Sequence, residues 1–239
     1  MKKMIQIKQM LINNNNRPKT PLNPQGIVIH ETATPGATAQ NEYKYFSVPN
    51  RKASAHAFVD WNEIVQIIPW NEVAWHAGRT ANTRFIGIEL CHATTKEQFE
   101  KVWQNAVELF AWLFVNVLKQ TKVTKDNLMS HAEVSAKWKE TDHTDPVVYF
   151  KQYGKTVDDF RADVQKKIDE MLKTTNQQPK TKQGVVTAQP SLNIRQTPSM
   201  EGLVIGKYYT GDKVNILEEK GDWYRTDKGW IYKKYVKVV

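Results

Sequence analysis

Residues 173–184, KTTNQQPKTKQG, contain no apolar side chain that could join a core, and they combine Pro179 and Gly184 with three lysines. Such a run stays solvated, so the 239-residue chain must fold as two cores, one on each side of it. The expected layout is a first domain over 1–172, a linker over 173–184 and a second domain over 185–239. The first stretch is long enough for one well-buried domain and the second only for a small module.

Upstream of the linker, short apolar runs alternate with helical patterns. Residues 26–30, 57–60, 64–68 and 85–90 read as buried strands, being short, rich in β-branched residues and bounded by polar segments. Thr95 to Gln98 forms a capping-box pattern ahead of Phe99, Val102, Trp103, Ala106, Phe110, Leu113 and Val117, which share one stripe and predict a helix over 98–119. Thr156 opens a second helix, in which Phe160, Val164, Ile168 and Leu172 recur every four residues. The predicted fold class is α/β, a mixed central sheet flanked by helices. After the linker, six short strands separated by turn signals such as Gly211-Asp212 and Gly221-Asp222 predict a small all-β barrel.

Composition narrows the function classes. The single cysteine, Cys91, rules out an internal disulfide framework. No window approaches the roughly 18 apolar residues of a membrane span, and residues 5–9 mix polar with apolar side chains where a signal peptide needs an unbroken apolar segment. No membrane insertion and no export signal are expected. The net charge of +9 favours polyanionic surfaces, among them nucleic acid and acidic cell-wall polymer. The surplus divides evenly, however, with +3 in each of 1–172, 173–183 and 184–239, which argues against a nucleic-acid arm.

Six histidines stand at 30, 56, 76, 92, 131 and 143. His30 and His131 each end an apolar run, where a strand can fix an imidazole at the mouth of a cleft as a zinc ligand. Each could equally be a buried histidine bonded to a carbonyl. Glu89 alternates with Ile86 and Ile88 on a predicted central strand, and a carboxylate buried there is costly unless it has a role or pairs with Arg79 or Arg84. Cys91 and His92 point to opposite faces of a strand and cannot act as a nucleophile pair, so Cys91 is expected in the core.

The motifs GIVIHET (26–32), SAHAFVD (54–60), AWHAG (74–78), IGIEL (86–90), SHAEV (130–134) and TDHTDP (141–146) occur in one order. In that order the chain resembles the zinc-dependent N-acetylmuramoyl-L-alanine amidases of the type 2 group, which includes phage endolysins, bacterial autolysins and peptidoglycan recognition proteins. The tail, with LNIRQTPS, GDKVNIL, GDWYR and KGWIYKKYV, resembles a bacterial SH3-like cell-wall-binding module.

The resemblance implies Zn2+ held by His30, His131 and Asp145, with a fourth position open to water. Many relatives carry cysteine where Asp145 stands, and Asp142 lacks the proline that follows the family's third ligand. It further implies that Glu89 is the general base and that His143, in a slot where many relatives carry lysine, assists the reaction; a turn-bonding histidine is the alternative. Trp75 and His76 are expected along the substrate groove, with loop packing the alternative for His76, and His56 as a structural neighbour. In the tail, Tyr208, Tyr209, Trp223, Tyr224, Trp230 and Tyr232 are expected in the core or in a binding groove.

The implied function is hydrolysis of the amide between the lactyl group of N-acetylmuramic acid and L-alanine, with cell-wall peptidoglycan as partner. A non-catalytic peptidoglycan-binding protein on the same fold is the alternative. A monomer made in the cytoplasm and released to the wall by a holin is expected.

Overall fold

The runs that read as buried strands line up side by side. The structure, a computed structural model, describes residues 6–176 and 182–239. In its first compact unit, Met1–Met171, six strands form one sheet: β1 (Ile7–Gln9), β2 (Gly26–Glu31), β3 (Ala57–Val59), β4 (Ile64–Gln66), β5 (Phe85–Leu90) and β6 (Leu128–Ser130). Their order is β1-β4-β3-β5-β2-β6. Only β3 and β4 pair antiparallel; the other neighbours are parallel. Ile27, Val28 and Ile29 of β2 are wholly buried, as expected for a central strand covered on both faces.

The β3–β4 turn is set by Asp60. Its Oδ1 accepts the N–H groups of Asn62 and Glu63, and its Oδ2 accepts that of Ala39 at the start of helix α1 (Ala39–Ser47). One carboxylate thus closes a hairpin and caps a helix. Helices α2 (Gly78–Asn82), α3 (Lys96–Leu113), α4 (His131–Trp138), α5 (Val147–Gln152) and α6 (Val157–Asn176) complete the unit.

Two helices differ from expectation. Helix α3 begins two residues early, because the Thr95 hydroxyl accepts the Gln98 N–H, and its end is a π-helical turn, Phe114–Leu118. There the Lys119 N–H reaches back five residues to Phe114 O, with Lys119 itself in the left-handed region at φ 56°. Helix α6 runs to Asn176, past its last buried residue Ile168, since propagation adds one hydrogen bond per residue fixed. Strand β7 (Lys182–Val186) begins inside the expected linker because Lys182 and Gln183 pair with Ile216 and Asn215. Of the linker expected over 173–184, residues 177–181 lie outside the described residues. No described helix is long and apolar enough to cross a membrane.

The second unit, Leu172–Val239, is antiparallel β with one 3-10 turn, Lys233–Tyr235, among its described residues beyond α6. Strands β8 (Ser191–Arg195), β9 (Val204–Tyr209), β10 (Lys213–Ile216), β11 (Glu218–Lys220), β12 (Trp223–Thr226), β13 (Gly229–Tyr232) and β14 (Val236–Val238) join β7 in two sheets, β10-β7-β14 and β11-β12-β13-β8-β9. Val186, Ile194, Tyr208, Val214, Tyr224 and Ile231 fill its core. Of the six aromatic residues, Tyr208, Trp223 and Tyr224 are buried, Trp230 and Tyr232 are half-buried and Tyr209 is exposed.

Candidate active site

The sheet brings the first two candidate groups together by register. Strands β2 and β5 are parallel, with His30 opposite Glu89, so both side chains leave the same face near the strand ends. Strand β6 pairs with β2 on the other side, Ile29 opposite Ser130. The next residue, His131, therefore opens α4 beside His30.

That junction is held from several directions. Ser130 and Glu133 form a reciprocal capping box. Arg161 of α6, buried, pairs with Glu133 and donates to Leu128 O at 2.9 Å. The Ala132 N–H donates to Asp145 O at 3.1 Å, which ties the TDHTDP segment to the first turn of α4.

The Asp145 carboxylate sits between imidazoles. Its Oδ2 lies 3.2 Å from His30 Nδ1, and its Oδ1 lies 3.2 Å from His131 Nδ1 and 3.6 Å from His143 Nδ1. One donor atom each from His30, His131 and Asp145 lies within 4.8 Å of the others. The exposed His143 ring stacks on His131 at 4.6 Å. Burial opposes ionisation of Asp145, but hydrogen bonds with His131 and His30 outweigh it and hold the carboxyl well below the usual carboxylate range.

Hydrogen-bond logic tests whether this cluster fits a cation. The Phe85 carbonyl can only accept, so His76 Nε2, 3.2 Å away, carries a hydrogen. Burial holds His76 neutral, which leaves its Nδ1 as an acceptor for His30 Nε2–H at 3.0 Å. Burial also lowers the pKa of His30, and neutral His30 then turns the lone pair of Nδ1 toward Asp145 Oδ2. On the other side, His131 Nε2 lies 3.1 Å from Thr141 Oγ1, which is 2.7 Å from Ser135 Oγ. Thr141 Oγ1 can accept Nε2–H of His131 while donating to Ser135, and in that tautomer His131 likewise turns a lone pair toward the carboxylate. Lone pairs facing carboxylate oxygens repel unless a proton or a metal cation lies between them: a proton makes the hydrogen bonds that hold the Asp145 carboxyl low, and a metal cation would take its place. Two imidazoles and one carboxylate are a donor set that suits Zn2+ with one position open.

Glu89 lines the same cavity, about 460 Å³ in volume, as His30, His131, His143 and Asp145. Its Oε2 is buried without a hydrogen-bond partner, and no ion pair to Arg79 or Arg84 is present among the described residues. Burial first, then the charge of Asp145, pushes its carboxyl well above the ordinary range. Trp75, 37% exposed, and Tyr45 stand on the cavity wall. His76 lines it too, but with both ring nitrogens engaged inside the protein it offers only its ring to a ligand.

Three contributors escaped sequence reasoning. Thr141 and Arg161 act through the histidine-bearing segments, as described. Gly87, beneath His76, is the third: a Cβ there would lie 2.4 Å from His76 Cγ, so any side chain would displace the ring that sets the His30 tautomer. The alternation of IGIEL shows Gly87 sharing a face with Glu89, and that was the available signal. Cys91 is buried in the core, and burial raises its thiol pKa far beyond the reactive range.

His56 is structural. Its Nδ1 accepts the Gly87 N–H at 2.9 Å and its Nε2–H donates to Glu72 O at 2.8 Å, which requires the neutral ring. Burial pushes its pKa down to about 4. Since the unfolded ring titrates near 6.5, its contribution to stability is complete above pH 6.5 and is lost as pH falls toward 4. The full loss is about 3 kcal/mol. In an NMR titration the His56 ring should show no inflection between pH 8 and 5; a midpoint near 6.5 would overturn this assignment.

Comparison with known proteins follows the same division of the chain. Residues 20–147, more than half of the sequence, match the family described as N-acetylmuramoyl-L-alanine amidase, and residues 190–237 match the bacterial SH3 domain. A probable N-acetylmuramoyl-L-alanine amidase of Bacillus licheniformis is 32% identical over 213 residues, covering 82% of this chain and 52% of that one. A mutant endolysin from Bacillus subtilis superposes with a TM-score of 0.54 at 30% identity, covering 67% of this chain and 99% of that one. The Staphylococcus aureus hydrolase AmiA, in complex with its ligand, shares the fold with a TM-score of 0.65 at 24% identity, covering 72% and 87%. The chain spans between 10% and 52% of the length of the curated relatives it matches.

Proposed function

The chain belongs to the N-acetylmuramoyl-L-alanine amidase family, and we propose that it hydrolyses the amide between the lactyl carbonyl of N-acetylmuramic acid and the L-alanine of the stem peptide. The observation that carries this reading is the unpartnered Glu89 Oε2 in the same cavity as the His30, His131 and Asp145 cluster. When bound by those three residues, zinc supplies Lewis acidity at the open side of the donor set. Glu89, in the carboxylate form that a bound cation would favour, takes a proton from the attacking water, and the burial that raises its proton affinity lets it hold that proton until it is delivered to the departing alanine nitrogen. His143, exposed and stacked on His131, donates a hydrogen bond to the oxyanion as it develops. Trp75 offers a ring face to the substrate, while His76 and Thr141 act as positioning residues that aim the lone pairs of His30 and His131 inward.

The second unit, with its bacterial SH3 domain, holds the chain on the wall and raises the local concentration of substrate without altering the chemistry. Both halves of the proposal meet in one experiment. Full-length protein and residues 1–171 are each given defined cell walls and a soluble muramoyl peptide, and new ends are identified by mass spectrometry. New L-alanine amino termini from both forms, equal turnover of the soluble substrate, and at least about tenfold slower wall digestion by the short form are expected. New reducing sugar ends, or peptide ends elsewhere in the stem, would exclude amidase activity. Loss of soluble turnover in the short form would exclude the division of labour.

A further inference from the structure

A second cavity of the amidase unit, about 530 Å³, opens between edge strand β1, the segment 22–24, the segment 69–71 and the π-helical turn after α3. Its lining includes no charged residue, in a chain that is 25% charged. Instead Gln9, Asn23, Gln66, Asn71 and Asn116 place five side-chain amides around it, with the indole of Trp70.

Much of this hydrogen-bonding capacity is unused. Gln66 accepts from Gln9 Nε2 at 3.0 Å and donates to Ile68 O, which fixes the Gln9 side chain and leaves its Oε1 unpartnered among the described residues. Asn116 uses its Nδ2 on Trp112 O and leaves Oδ1 open. Asn23, Asn71 and the Trp70 N–H make no side-chain hydrogen bond among the described residues, and both asparagines are exposed. Pro24, Pro69 and Leu22 supply the apolar part of the wall. Trp70 is held in place by stacking on His56 at 6.3 Å and 18°.

Uncharged planar amides that both donate and accept, beside a fixed aromatic ring, match a ligand with many hydroxyl or acetamido groups and an apolar ring face. Such a wall carries no charge to pair with an ion. From this geometry we infer that the cavity is a binding site for a neutral oligosaccharide, separate from the cleavage site. The amidase reading bears only on where that ligand comes from: a glycan strand of the wall carries the required chemistry next to the scissile amide.

The test uses the full chain and chitotetraose, the neutral β-1,4-linked N-acetylglucosamine tetramer, titrated by NMR. Saturable shifts at residues 22–24 and 69–71 are expected, with affinity at least about tenfold weaker in W70A and in the paired variant N23A/N71A. The paired change removes only exposed side chains, so it keeps the fold and tests the cavity without touching the Trp70–His56 stack. Turnover of a soluble muramoyl peptide should stay within about twofold in N23A/N71A, because these residues lie outside the cleavage cavity. Absence of saturable binding by the wild type, or undiminished binding by N23A/N71A, overturns the proposal. Failure of the wild type to cleave the soluble peptide strikes the amidase reading alone, since binding is measured without turnover.

Discussion

Replacement of Asp145 by alanine is expected to empty the site of zinc and to lower turnover by a factor on the order of 10³. Among the described residues, the carboxylate is the one anion that touches His30, His131 and His143, at 3.2, 3.2 and 3.6 Å. Without it two neutral imidazoles remain, too few to complete a three-ligand hydrolytic site. The fold should survive, because the anchor of this segment is the Asp145 carbonyl receiving the Ala132 N–H, a bond that the side chain does not make. Elemental analysis should therefore read about one zinc per chain in the wild type and under about a tenth of that in the variant, with an unchanged amide NMR spectrum. A variant that keeps stoichiometric metal would remove Asp145 from the ligand set.

What the sequence disclosed about this site follows from periodicity and local chemistry. The apolar runs around 27–29 and 86–90 announced β2 and β5, with His30 at the tip of the first and Glu89 alternating with apolar residues on the second. Strand β1 was not foreseen because Ile7-Lys8-Gln9 is half polar; it lies at the sheet edge and owes its conformation to pairing with β4. The π-helical turn after α3 was invisible because its residues continue the apolar stripe and only the left-handed Lys119 marks the change. The hydrogen-bond partners of the histidines were hidden for a different reason. His76 reaches His30 across 46 positions and Thr141 reaches His131 across 10, while the Phe85 carbonyl acts on His30 only through His76, and no local pattern encodes a contact made only by tertiary packing. The six ordered motifs implied a donor set; the ring contacts that bear on its tautomers needed coordinates.

The Glu89→Gln variant should separate chemistry from metal binding and, at the same time, activity from stability. Glutamine has the shape of glutamate but cannot accept a proton in this range, so zinc content should stay near the wild-type value while kcat falls about 10²–10⁴-fold and KM changes little. The stability effect has the opposite sign. Burial raises the folded-state pKa of Glu89 well above 4.5, so between those two values the native chain binds more protons at this residue than the unfolded chain, and its stability falls as pH rises. The amide removes that dependence. In metal-free protein, where no cation favours the carboxylate, Glu89→Gln should match the wild type near pH 4 and exceed it by roughly 1–3 kcal/mol at pH 8 in chemical denaturation. Oε2 has no donor to lose, so the substitution sacrifices no hydrogen bond there. A variant that lost zinc along with activity would make Glu89 a ligand. A variant that kept its turnover would leave the buried, unpartnered carboxylate without a catalytic purpose, and the proton transfers assigned to it would have to come from another group.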